Sequence, residues 1–462
     1  MNVFNHRRQY PLGQGGFHAG TVEGDGSLRF TYVYDCGSTN GYIEARDREI
    51  ERYLGESNRL LDVLYLSHLH ADHVNGIPKL LHAHSGVQVD TIILPLLDPA
   101  SRLIAFARSL TEGALPKSMD DTEESDFYRS FIASPGDALA RFHPRQVVFV
   151  YSGRNGDGAP GSRGEPPPPS DLPSHDSTSG ESWRFVGRGR IERLSDEPYE
   201  DTLSGEDAEI YPSLSDPDRF TTFGPKRLVQ LSMPDTIGIG IGGDSSFDPW
   251  LLTHFVDPTV EEKRESFLLR LAKKLGLSYA NLLSSLNSTS FLLSLVTTHD
   301  KELRNAYAHV ASNLNTTSLS LFSGPNAGHT NLKISADIFF AGKVLRTGSQ
   351  STSSGRIGWL GTGDASLKTP SSVQAFAKHF GNLLDNVFTL MLPHHGSDHN
   401  FSRDLLVNVK PQLCIAAADR VGKWRHPGSN VIQAVCSFPS LMHVVTSATE
   451  AGVDERVVMT AT

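Results

Sequence analysis

One heptapeptide constrains this chain more than any other stretch: Ser67-His68-Leu69-His70-Ala71-Asp72-His73. It closes LLDVLYLS, a near-continuous apolar run of the kind that forms a strand buried on both faces. His68 and His70 stand two positions apart, so extended backbone at the strand end points both rings the same way. A tight turn after them swings Asp72 and His73 toward the same point, and four metal-capable side chains converge. Imidazole nitrogens and a carboxylate oxygen suit Zn²⁺ first, with Mn²⁺ or Fe²⁺ as substitutes, at ligand distances of about 2.0–2.2 Å for zinc.

The surrounding text alternates strand and helix. FTYVYDCGS is β-rich and ends in a glycine turn, ARDREIERYL has helical spacing, VNGIPKLLHAH can form a helix and VDTIILPLL another strand. That alternation predicts an α/β domain whose sheet is covered by helices. The β pattern returns from Ser318 with SLSLF, RIGWLG, NVFTLML and QLCIAAA. The core is therefore assigned to 1–98 and 311–462, with 99–310 as a large insertion. Part of the insertion reads as flexible, because Tyr151 to Ser182 holds six Gly and six Pro, including the run Pro166 to Pro169. Such text buries too little apolar surface to offset its ordering entropy. Part reads as helical, over about 259–310. There Thr259 and Glu262 form a capping box, Phe267, Leu268, Leu271, Ala272 and Leu275 make one apolar stripe, and Gly276 ends the helix.

Composition enters where it excludes a function. The formal charge of −10 over 462 residues disfavours a nucleic-acid binder that works through a basic overall surface, and leaves room for a local groove. Cys36, Cys414 and Cys436 are too scattered for a disulfide framework or a thiolate zinc site and suit a reducing compartment. No apolar run reaches the ~18 residues of a membrane span, and the first residues lack the core of a signal peptide. The expectation is a cytoplasmic protein with no membrane association.

His68, His70, Asp72 and His73 match without departure the H-x-H-x-D-H signature of the metallo-β-lactamase fold superfamily, which this sequence resembles. Other segments look like the branch exemplified by the soluble hydrolase domain of the DNA-uptake protein ComEC, here without a membrane channel. Gly13-Gln14-Gly15 is similar to its V-G-Q-G-D turn, with Gly16 where the acid is usual; Tyr34 to Ser38 is similar to its L-I-D-x-G-S. Thr362 to Ala365 resembles its T-G-D segment, Pro393 to Ser397 its H-H-G-S, and His426-Pro427 its late H-P pair. The resemblance implies a four-layer αββα sandwich and two divalent metal ions. Their ligands would be His68, His70, Asp72, His73, Asp364 as a bridge, and His395. Asp72, His394 and His426 are the candidate catalytic residues, His394 facing the substrate and His426 contacting an anion or leaving group with Lys423 and Arg425 beside it. Asp35 would accept hydrogen bonds from the metal loop. The first site's third ligand departs from the usual histidine; Asn313, Asn315 and His329 are the alternatives.

Two metals in such a cradle bring the pKa of a bridging water toward neutrality and polarise an electrophile, so hydrolysis is the expected chemistry. Nucleases that insert a whole domain after the bridging Asp are excluded, since Asp364 and His395 lie too close in the chain to hold one. The ComEC resemblance implies a phosphodiesterase or nuclease. The acidic charge then calls for a confined channel or a protein partner that delivers nucleic acid. The rivals are an acyl or lactone hydrolase on the same metals and a regulatory module with a degenerate site.

Overall fold

The structure is a computed structural model. It describes residues 2–24, 29–57, 59–115, 122–150, 159, 162–163, 183–186, 191–193, 227–231, 238–241, 249–256, 264–308, 317–326, 332–348, 356–419 and 425–461. Two large sheets face one another. The first runs Lys343–Gly348, Leu332–Phe340, Val453–Ala461, Asn2–Gln9, Gly15–Gly24, Arg29–Ser38, Leu60–Tyr65, Gln88–Pro95, Gln146–Val150, Arg227–Leu231 and Ile191–Arg193. The second runs Leu441–Val445, Leu413–Ala417, Val387–Met391, Gly358–Gly361, Leu319–Pro325, Trp250–Val256, Gly238–Ile241 and Trp183–Val186.

Local chemistry explains the strand types. From Leu61 to Tyr65 every residue is buried, as a strand covered on both faces requires, and its neighbours Arg29–Ser38 and Gln88–Pro95 pair with it in parallel. Asn2–Gln9 alternates buried and open positions and pairs antiparallel on both sides. Between the sheets lies an aromatic core that includes Phe30, Tyr32, Tyr34, Trp183, Trp250 and Trp359. Helices close both outer faces. Ile43–Glu56, Pro99–Glu112 and Glu123–Ala133 cover the first sheet, while Pro370–Phe380, Arg403–Val409 and Ser429–Cys436 cover the second. The result is the expected four-layer αββα sandwich.

The stretch 99–310 is woven into both sheets. Gln146–Val150 pairs in parallel with Gln88–Pro95, and Trp250–Val256 pairs antiparallel with Leu319–Pro325. Its later part forms four helices, Arg264–Leu275, Tyr279–Ser285, Thr289–Thr298 and Asp300–Ala308. In the first of them Phe267, Leu268, Leu271 and Ala272 are buried, Leu275 is partly covered, and Gly276 at φ +69° takes the left-handed turn that ends it. These helices extend the layer outside the first sheet. The Gly/Pro-rich segment 151–182 lies outside the described residues except for three positions. Two of these, Ala159 and Ser162, are buried, and they bond the backbone of His379 and Asn382 at 2.7 and 2.9 Å. Thr259 and Glu262 also lie outside the described residues. No helix among the described residues is long and apolar enough to cross a membrane.

Candidate metal centre

The parallel strands of both sheets end on the same side, and their carboxyl-end loops carry the chemistry-bearing residues. The Leu60–Tyr65 strand stops before the histidines, so His68 and His70 stand on the loop that follows it. That loop is stitched down at Ser67, whose carbonyl accepts the Leu319 N–H at 2.6 Å. Asp72 and His73 sit in the short helix Ala71–Val74, which begins where His70 leaves extended backbone at ψ 148°. Asp364 follows the Gly358–Gly361 strand across Gly363, at φ +51°, where a Cβ would press on Ser318 Oγ. His394 and His395 follow Val387–Met391, both at positive φ.

Six of these residues form two groups, His68 with His70 and Asp364, and Asp72 with His73 and His395. His68 Nε2 and His70 Nδ1 are 3.0 Å apart and lie 3.4 and 3.7 Å from Asp364 Oδ2. Across the carboxylate, Oδ1 lies 3.6 Å from His73 Nε2 and 3.9 Å from His395 Nε2, which is itself 3.6 Å from Asp72 Oδ2. Ligands held at about 2.0–2.2 Å around a tetrahedral ion are roughly 3.3–3.6 Å from one another, so both groups have the dimensions of a metal polyhedron. Asp364 offers one oxygen to each.

A second observation tests the fit. His73 Nε2, His395 Nε2 and Asp364 Oδ1, which converge at the second group, are buried and lack a hydrogen-bond partner. Buried polar atoms are seldom left so, and a cation on that group supplies partners for the nitrogens and oxygen that face it. Electrostatics agree. Burial opposes charge on Asp72, but His395 and His73 outweigh it and hold the carboxyl below its usual range. Burial likewise opposes charge on His73, and Asp35, Asp72 and Asp364 outweigh it and raise the imidazole to about 9. Burial lowers His68 and His70.

The supporting bonds fix the rings. Asp35 accepts from Ser67 N and Ser67 Oγ at 2.6 Å and pairs with His73 Nδ1 at 2.7 Å, the role expected of it. Gly16 is forced by the same packing, because a Cβ there would stand 2.9 Å from both Asp35 Cβ and His73 Nδ1. His395 Nδ1 donates to the Ala417 carbonyl at 2.9 Å, leaving Nε2 free for the cavity. Asn400 donates its amide to the Asp364 carbonyl at 3.2 Å, so its oxygen accepts from His394 Nδ1 at 2.9 Å. His394 Nε2 then carries a lone pair and accepts from Arg108 Nη2 at 2.7 Å. The His394 ring belongs to neither group, although its Nε2 is 3.6 Å from Asp364 Oδ2.

His426 stacks outside this pair, its ring centroid 5.7 Å from His394 and 6.4 Å from His395. Arg425 is exposed. Asn313, Asn315, His329 and Lys423 lie outside the described residues. Sequence reading passed over Arg108 and Asn400, neither of which carries a motif; only the Arg108–Glu112 spacing on one helix face marked a local pair.

Residues 27–89 match the profile of the metallo-beta-lactamase superfamily. The match covers the Arg29–Ser38 strand, the first helix and the His68–His73 loop, and it stops well before Asp364 and His395. Two helix-flanked sheets packed face to face agree with that fold. No curated protein matches the chain.

Proposed function

We propose that this chain is a metal-dependent hydrolase of phosphodiesters, with nucleic acid as its substrate class. One observation carries the reading: two three-residue groups of metal-ligand dimensions meet at a single carboxylate. Two divalent ions held there, Zn²⁺ first or Mn²⁺, supply an acidified water and an electrophile-polarising charge. His68, His70 and Asp364 would hold one ion, and Asp72, His73, His395 and Asp364 would hold the other. Asp72 also orients the attacking water through its remaining lone pairs. His394 presents an unprotonated Nε2 toward the site and positions the substrate, with His426 beside it. The segments that look like the ComEC-type hydrolase domain, Thr362 to Ala365 and Pro393 to Ser397, deliver Asp364, His394 and His395, which supports phosphodiester over acyl chemistry. The net charge of −10 supports delivery of nucleic acid by a protein partner.

The test is a cleavage screen over single-stranded DNA, double-stranded DNA and RNA with Zn²⁺ or Mn²⁺, alongside a lactone. Chelation should abolish cleavage and re-addition of metal should restore it. The Asp72→Ala, His73→Ala double variant should lose cleavage while keeping its circular dichroism spectrum, because both side chains serve the site more than the core. Lactone turnover without phosphodiester cleavage would overturn the substrate class. Well under one metal equivalent per chain would overturn the enzyme reading itself.

A further inference from the structure

We propose that Arg108 is the residue by which this site recognises the charged oxygen of an anionic substrate. The inference rests on the phosphodiester reading above and assigns the group that takes a non-bridging phosphate oxygen. Arg108 lies on Pro99–Glu112, and only 5 % of it is exposed. Its helix is bolted to the histidine loop: Ser109 Oγ accepts from Ala71 N at 3.0 Å, and Tyr128, bonded to Ser109, donates to the Leu69 carbonyl at 2.9 Å. The guanidinium is therefore held in a fixed position relative to both metal groups.

A buried guanidinium needs anions around it. Glu112 supplies one at the Nε edge, with its carboxylate 2.9 Å from Arg108 Nε. On the near side Nη2 meets the neutral His394 and lies 3.8 Å from Asp364 Oδ2. Asp364 cannot serve as the near-side anion once both groups hold cations, because its two oxygens face them. A fixed positive charge next to a divalent ion is repelled, and the arrangement is favourable when an anion lies between the two. A phosphodiester brings one; a neutral ester does not. The planar fork of the guanidinium matches two phosphate oxygens, which an ammonium cannot do.

The experiment compares wild type with Arg108→Met and Arg108→Lys after loading with Zn²⁺, using inorganic phosphate in a binding titration. Bis(p-nitrophenyl) phosphate and p-nitrophenyl acetate serve as anionic and neutral substrates, and bound metal is counted by elemental analysis. Arg108→Met should keep its metal, lose phosphate affinity by about 10- to 150-fold, and lose kcat/KM on the diester to a similar extent. Acetate turnover should fall by clearly less than diester turnover. Arg108→Lys should recover part of the loss, since it keeps the charge without the fork. Unchanged phosphate binding in Arg108→Met overturns the proposal, and so does loss of metal with equal loss on both substrates, which makes Arg108 a structural brace. If wild type cleaves no diester yet binds phosphate through Arg108, the phosphodiester reading falls and the anion site stands. If both proteins cleave the diester equally, the anion site falls and the reading stands.

Discussion

At the scale of single residues, the division between ligand and neighbour rests on where each ring turns its Nε2 once Nδ1 is engaged. His395 gives Nδ1 to the Ala417 carbonyl and turns Nε2 inward, toward Asp72 and Asp364. His394 gives Nδ1 to Asn400 and turns Nε2 to Arg108. His395→Ala should therefore lose the metal of the Asp72–His73 group, with activity down by orders of magnitude. His394→Ala should retain both metals and lose turnover through substrate positioning, with a loss of about 10²–10⁴-fold marking it as a general acid or base instead. Elemental analysis with kinetics on both variants decides the assignment, and loss of metal from His394→Ala with retention in His395→Ala reverses it. Gly16 belongs to the same scale, since Gly16→Ala presses on the Asp35–His73 bond and should weaken metal affinity by about 10–100-fold, the usual effect of disturbing a ligand's hydrogen-bond partner. Equilibrium titration with a competing chelator reads this; an unchanged affinity would show that Asp35 does not tune His73.

Between elements, the decisive contact is the Arg29–Ser38 strand against the short Ala71–Val74 helix. A Cβ at Gly37 would stand 2.7 Å from the backbone of Asp72 and Val74, and backbone cannot swing aside. Gly37→Ala should cost about 1–3 kcal/mol through overpacking and shift Asp72 and His73 together. Gly55 offers the control, because it sits in Ile43–Glu56 with open space around it. There Ala should be neutral or stabilising by about 1 kcal/mol through helix propensity. Calorimetric melting of the two variants is the measurement, and equal effects would refute the close-approach argument. The helix Pro99–Glu112 matters at this scale too, since through Ser109 and Tyr128 it fixes the loop that carries His68 and His70.

For the molecule as a whole, the two sheets are joined by buried polar bonds as well as by the aromatic core. Arg7 Nε donates to Glu455 at 2.7 Å and Arg7 Nη2 to the Ile357 carbonyl at 2.7 Å, while Thr389 of the second sheet donates to the other oxygen of Glu455. Burial also sets the acid limit of the fold. His379, beside Phe255 under the helices of the second sheet, and His254, on the strand face that meets Tyr65 of the first sheet, are both buried and pushed down to about 3. Unfolded, each binds its proton near pH 6.5; folded, each stays neutral until about pH 3. The unfolded chain thus holds more protons between these limits, so stability is full above pH 6.5 and falls as the pH drops toward 3. Each histidine contributes a slope of up to about 1.4 kcal/mol per pH unit. His379→Phe keeps an aromatic ring beside Phe255 and should flatten the decline by one proton's worth. Urea unfolding at a series of pH values measures the slope, and an unaltered slope would mean that His379 titrates normally.

What the sequence determined by itself was local. Apolar runs such as LLDVLYLS and β-rich text such as FTYVYDCGS predict strands because strand propensity and side-chain pattern are properties of neighbouring residues. The His68–His73 cluster is legible for the same reason, its spacing placing four donors together without help from the rest of the chain. The resemblance of short segments extended this to Asp364 and His395, and the structure brings them to the cluster. Tertiary structure alone decided the rest. Gln146–Val150 and Trp250–Val256 join different sheets, which no local pattern encodes, because partner choice in a sheet depends on hydrogen bonds to residues far away in sequence. Arg108 and Asn400 carry no motif, and each gains its role from a residue on another element: His394 for Arg108, the Asp364 carbonyl for Asn400. A guanidinium on a helix is ordinary until folding buries it beside a carboxylate that two metal groups share, and desolvation then favours an anion beside it.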